Sequence, residues 1–171
     1  MADVWKISVQ SLSHANSCHP VNLHAFVLTQ NHYHLLIDTP NEDIDLFMYE
    51  FNKKFSLLLR KKTQLINRMF GGRYKWSIVK NEKSYRYVLR YIFQNPVRAK
   101  VCDSILEYPY STTGPDVDVS KLEFRPYIDI LSKKKIWNNL NSSIQKSKRE
   151  LFNGHCIGVS LRLMIKINLN Y

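Results

Sequence analysis

The clearest pattern in the chain lies near its end. Val159, Leu161, Leu163, Ile165, Ile167, Leu169 and Tyr171 alternate with Ser160, Arg162, Met164, Lys166, Asn168 and Asn170. Side chains two apart share a face of a strand, so this alternation predicts a strand over about 159–170. Two β-prone runs, Leu23–Leu28 and His32–Ile37, flank Thr29-Gln30-Asn31 and read as a tight hairpin. Tyr74, Trp76 and Ile78 alternate with Lys75, Ser77 and Val79, which predicts another strand. Helical spacing takes over elsewhere. Val4, Ile7 and Leu12 mark a short helix within 3–15. From Ile44 to about Lys62, Phe47, Met48, Phe51, Phe55, Leu58 and Leu59 recur at three and four. That spacing predicts a long amphipathic helix with acids at its start and Arg60, Lys61 and Lys62 at its end, as the helix dipole favours. Asn81 is placed to cap a further helix running to Gln94 or Asn95, where Pro96 is expected to stop it. Residues 103–122 read as loop and 123–152 as helical in pieces, with no repeat or low-complexity segment.

With 171 residues and 44% hydrophobic content, the chain has the size and composition to form one cored domain, with a small appendage. No apolar run reaches the length of a membrane span, and the N-terminus does not read as a secretory signal. The three cysteines, Cys18, Cys102 and Cys156, have no metal-type spacing and fit reduced thiols. Charge changes the picture more. The chain carries net +11, distributed as −5 over residues 1–50, +13 over 51–100 and +3 over 101–171. A basic stretch with Tyr74, Trp76, Tyr85, Tyr87, Tyr91 and Phe93 among the charges points to nucleic acid, because aromatics beside Arg and Lys stack unpaired bases.

Four residues suggest chemistry. His32 and His34 flank Tyr33 in an expected strand, so both imidazoles face one side, as two divalent-metal ligands would. Tyr91 and Asn95, four apart on an expected helix, share a face, with Tyr87 one turn earlier. Together they supply what cleavage of one phosphodiester needs. Tyr91 is a nucleophile able to form a phosphotyrosine. His32, His34 and the Asn95 amide form a ligand set for a Lewis-acidic ion. Residues 53–100 form a basic groove for the strand. Mg²⁺ or Mn²⁺ is expected, with imidazole favouring Mn²⁺.

Motif order then brings a resemblance. Leu23-His24-Ala25-Phe26-Val27-Leu28, Asn31-His32-Tyr33-His34-Leu35-Leu36, Gly72-Arg73-Tyr74-Lys75-Trp76-Ser77, Tyr91-Ile92-Phe93-Gln94-Asn95-Pro96-Val97-Arg98-Ala99 and Tyr108-Pro109-Tyr110-Ser111 follow one another over about 22–112. This series resembles the REP-associated tyrosine transposases and their insertion-sequence-200-like relatives, which carry a His-x-His (HUH) site. The resemblance implies an α+β fold: a ferredoxin-like (RRM-like) antiparallel sheet with helices on one face. It implies a transposase-like domain over 1–112, followed by a mixed C-terminal extension over 113–171. It implies metal-dependent cleavage and strand transfer of single-stranded DNA through a 5′-phosphotyrosine at Tyr91. His32, His34 and Asn95 are the implied metal ligands. Hairpin-bearing single strands are the implied partner of a monomer or homodimer in the bacterial cytoplasm, associated with the nucleoid. Arg73, Lys75, Arg86, Arg90 and Arg98 are candidates for phosphate contacts on charge alone.

Three departures shape what is expected. Thr29-Gln30 replaces the family's Met-Pro before the His pair. Lys100 stands where the family has Gly, at a turn expected to need positive φ. The family's opening strand has no counterpart before the first helix. A sheet lacking that central strand leaves backbone groups on two strands unpaired, so the strand at 159–170 is expected to pair into the vacant place or along an edge. The alternative to an enzyme is an inactive, truncated relative that only binds hairpin or single-stranded nucleic acid. A structural zinc site on His32, His34 and a Cys is a weaker third reading.

Overall fold

The computed structural model describes residues 1–64, 69–70 and 72–114, and the backbone of 161–168. The order is α1 (Ala2–Cys18), β1 (Asn22–Leu28), β2 (His32–Thr39), α2 (Ile44–Thr63), β3 (Lys75–Ile78), α3 (Glu82–Arg98) and β4 (Leu161–Asn168). The helices at 3–15 and 44–62, the hairpin and the strand near 74–79 are thus found within a few residues of where spacing puts them. The segment 123–152 lies outside the described residues.

The fold is α+β. Four antiparallel strands form one sheet in the order β1-β2-β4-β3. β4 occupies an interior place. Its residues pair with β2 from His32↔Asn168 to Thr39↔Leu161, and with β3 from Lys75↔Lys166 to Ile78↔Leu163. The expected terminal strand therefore supplies the central pairing that the sheet would otherwise lack. The outer edge of β1 is covered too. Leu28 N–H donates to Tyr110 O, and Thr112 N–H donates to Phe26 O.

One expectation is corrected: the helices do not share a face. α1 and α2 enclose Leu23, Phe26, Leu28, Tyr33, Leu35 and Ile37 with Leu12, Phe47, Phe51 and Phe55. α3 covers the opposite face, packing Val88, Leu89 and Ile92 against Ala25, Val27 and Leu36. The reason is composition. β1 is apolar on both faces, with Phe26 and Leu28 toward α1 and α2 and Ala25 and Val27 toward α3, where Leu36 of β2 joins them, as in strands covered on both faces.

A second correction concerns Pro96, which lies inside α3 rather than ending it. Its missing N–H removes only one bond of the ladder, close to the helix end. Ala99 N–H still donates to Asn95 O and Val101 N–H to Pro96 O. Asn81 caps the helix as expected, its side chain accepting from Ser84 N–H at 2.8 Å. Lys100 just beyond the helix has φ 57°, the left-handed conformation expected there.

Candidate active site

β2 and α3 build the site. The pleat of β2 turns Tyr33, Leu35 and Ile37 toward α1 and α2, so His32 and His34 face α3. On α3, residues four apart fall on one side, and Tyr91 and Asn95 meet the imidazoles there. His32 Nε2 lies 3.1 Å from His34 Nε2. Asn95 Nδ2 lies 3.2 Å from the same His34 nitrogen. Tyr91 meets His34 edge to face, with ring centroids 5.5 Å apart. His34 is buried, whereas His32, Tyr91 and Asn95 are partly open to solvent. The site is therefore closed at its floor and accessible from outside.

The turn before β2 orients His32. Its Nδ1 is 2.7 Å from Asn31 Oδ1 and 3.0 Å from Thr29 Oγ1. An amide oxygen only accepts, so Nδ1 carries the proton and Nε2 presents its lone pair to the site. Second contacts of this kind fix the tautomer of metal-binding histidines. The positions of the nitrogens also suit an ion. Two nitrogens each about 2.1 Å from one ion and at right angles stand about 3 Å apart, close to the 3.1 Å found between the imidazoles. The Asn95 amide stands beside the pair, 3.2 Å from His34 Nε2, and rotating its terminal torsion exchanges oxygen for nitrogen at that point. Among the described residues no group of three or more His, Cys, Asp or Glu is placed to hold a metal.

The candidate phosphate-contacting residues separate. The Arg98 guanidinium lies over the Tyr91 ring, 5.8 Å from its centroid. Lys75 belongs to the same cross-strand row as His34, through Lys166 of β4. Paired residues share a face, so exposed Lys75 stands on the His34 side of the sheet, about 10 Å away. Arg90 is half-buried on α3. Arg86 is bound to Glu82 on its own helix at 3.0 Å. Arg73 pairs with Asp45 at the start of α2 at 3.5 Å, beside Tyr74, and is not brought to the Tyr91 face.

Spacing alone missed two groups. Thr29 and Asn31 read as turn formers, yet their side chains set His32. His24, Asp38 and Tyr85 form a buried polar chain between sheet and α3. A His and an Asp in otherwise apolar strands were the available signal.

The fold and site define an α+β protein that presents two imidazoles, an amide and a phenol on one face of an antiparallel sheet. Residues 5–95 match a family model described as "Transposase IS200 like". The chain belongs to this family of transposases, whose work is the cutting and moving of DNA. No curated protein and no solved structure matches the chain. Among the described residues no helix is long and apolar enough to cross a membrane.

Proposed function

We propose that this transposase cleaves single-stranded DNA through Tyr91 and rejoins it elsewhere. One observation carries the reading: Tyr91 and Asn95 of α3 stand against two imidazoles of β2 whose Nε2 atoms converge to 3.1 Å. Core packing alone does not require two imidazole nitrogens and an amide to meet beside a partly exposed phenol.

His32, His34 and Asn95 would hold a divalent ion, Mg²⁺ or Mn²⁺. Such an ion, when bound, supplies Lewis-acid polarisation of a phosphate oxygen. The chain's own residues do the rest. Arg98 and Lys75 hold the strand's phosphates across the mouth of the site. The Tyr91 oxygen attacks phosphorus and loses its proton to solvent. The bond from phosphorus to the 3′-oxygen breaks, and that oxygen takes a proton from solvent and leaves as a hydroxyl. A 5′-phosphotyrosine remains, so the phosphodiester is conserved in a bond that another 3′-hydroxyl attacks in the reverse sense to join strands. Hairpin-bearing strands are the proposed substrate, on the family resemblance. An inactive relative would inherit the same imidazole–amide convergence, so formation of the covalent adduct separates the two readings.

The test uses labelled hairpin-bearing single strands, with and without Mn²⁺, resolved on a denaturing gel. A covalent protein–DNA adduct that requires Mn²⁺ and is lost in Tyr91→Phe is expected. An adduct that persists in Tyr91→Phe removes the assignment. DNA binding with no adduct under any condition favours the inactive binder.

A further inference from the structure

β1 carries one irregularity. Leu23 pairs with Ile37 but Ala25 pairs with Leu36, so two residues of β1 face one step of β2. This is a β-bulge, and His24 is the inserted residue. Counting back from Leu28 without the bulge, His24 would face α1 and α2. The bulge turns it to the α3 side instead, while Leu23 stays in the core under α1 and α2.

There His24 joins a buried chain. Its Nε2 is 3.0 Å from Asp38 Oδ2. Its Nδ1 is 3.2 Å from the Tyr85 hydroxyl. The rings of His24 and Tyr85 meet edge to face at 5.4 Å. His24 is 8%, Asp38 7% and Tyr85 0% exposed. The Asp38 carboxylate beside Nε2 favours the tautomer with the proton on that nitrogen, by proximity rather than by an aligned hydrogen bond, and Nδ1 is left to accept the Tyr85 O–H. Each partner thus fixes the next.

The place of this chain matters. Tyr85 and Asn95 both lie on α3, and both bond histidines of the sheet, His24 and His34. Ten residues of helix separate them, about 15 Å at 1.5 Å per residue. Tyr91 lies between. The apolar contacts of α3 with Ala25, Val27 and Leu36 are non-directional and tolerate a slide or a roll. Hydrogen bonds near both ends do not.

We propose that His24 and Asp38 are positioning residues: through Tyr85 they fix the height and roll of α3, so that Tyr91 and Asn95 stay over the His32–His34 pair. For catalysis this rests on the reading of Tyr91 as nucleophile. A displacement of about 1 Å at a reacting group costs on the order of a hundredfold in rate, so a tether one helical turn and more from the nucleophile bears directly on turnover.

The test compares Tyr85→Phe, Asp38→Leu and Asp38→Asn with the wild-type chain. Amide hydrogen exchange is followed along all three helices. Single-turnover adduct rate at saturating DNA and the DNA dissociation constant are measured beside it. In Tyr85→Phe and Asp38→Leu, amides of 88–95 exchange about five- to tenfold faster, as the loss of one hydrogen bond gives, while α1 and α2 are unchanged. The adduct rate falls about ten- to a hundredfold and the dissociation constant moves less than about twofold. Asp38→Asn, which keeps a polar oxygen of the same shape beside Nε2, retains wild-type behaviour. Unchanged exchange in Tyr85→Phe, or faster exchange spread equally over all helices, overturns the proposal. A wild-type chain that forms no adduct removes the proposed function, and the exchange of 88–95 still decides the tether.

Discussion

The side-chain amide nitrogen of Asn95 lies 3.2 Å from Nε2 of His34, across 61 residues of sequence. A helix on one face of the sheet thus brings an amide beside two imidazoles carried by a strand. The arrangement gives the amide a measurable role. Asn95→Ala is expected to weaken Mn²⁺ binding by about tenfold or more, and His34→Ala to abolish it. Asn95→Asp is expected to tighten it, since a carboxylate replaces a neutral oxygen. Isothermal titration of the purified protein checks all three, and equal affinity in Asn95→Ala would remove the amide from the ligand set.

Thr29 bears on the same site from the other side. Its hydroxyl is 3.0 Å from His32 Nδ1 and also donates to His32 O at 2.8 Å. Thr29→Val keeps the shape and deletes both contacts. Mn²⁺ affinity and adduct rate are expected to fall about ten- to a hundredfold, the range for such supporting contacts. The melting temperature serves as a control for folding.

Lys100 holds a left-handed conformation, φ 57°, beyond the end of α3. A side chain with Cβ costs on the order of 1–2 kcal/mol there, and glycine costs none of it. Lys100→Gly is therefore expected to stabilise by about 1 kcal/mol, a rise of about 2–4 °C in melting temperature. Calorimetry decides it. A lower melting temperature would mean that the unfolded-state entropy of glycine outweighs the relief of strain.

β4 is an interior strand, with partners on both β2 and β3. A chain ending at Gly158 loses every one of these pairings. Net contributions of about 0.5–1.5 kcal/mol per hydrogen bond add up to the whole stability of an ordinary domain, about 5–15 kcal/mol. The truncated chain is expected to lose cooperative unfolding by circular dichroism and to become protease-sensitive. A truncation that melts like the full chain would show that β4 is dispensable.

Alkaline pH should unfold the protein. Burial, then the hydrogen bond to Asp45, pushes the Tyr74 hydroxyl up to about 12, and burial raises that of Tyr33 well above its usual range. Both groups bind their protons more tightly folded than unfolded. Their contribution is complete below the unfolded value of about 10 and is lost as pH rises through the folded value. Urea midpoints are expected to fall between about pH 10 and 12, and less steeply in Tyr33→Phe. A midpoint independent of pH over that range would contradict the assignment.

Much of this protein is set by local chemistry that a sequence displays. Apolar spacing along Ile44–Thr63 dictates a helix because residues three and four apart share a face. Alternation over 161–168 dictates a strand for the matching reason. His32 and His34 share a face because a strand repeats every two residues. Tyr91 and Asn95 share one because a helix nearly repeats at four. The left-handed turn at Lys100 is expected from the glycine the family carries there, whereas local signals alone end α3 at Asn95, three residues short of Arg98. What depends on long-range packing was not displayed. That α3 crosses to the face opposite α1 and α2 follows from Ala25, Val27 and Leu36 giving the sheet a second apolar patch, and only the folded sheet says which helix takes which face. Arg73 and Arg86 carry the same charge as Arg98, yet Asp45 and Glu82 claim the first two while Tyr91 receives the third. His24 is the sharpest case. Period-two counting puts it under α1 and α2, and one bulge in the pairing of β1 with β2 turns it to Tyr85 and Asp38. Periodicity is a property of neighbours along the chain, so the sequence states it directly; register, bulges and charge pairing are relations between distant segments, and they exist only once the sheet has closed.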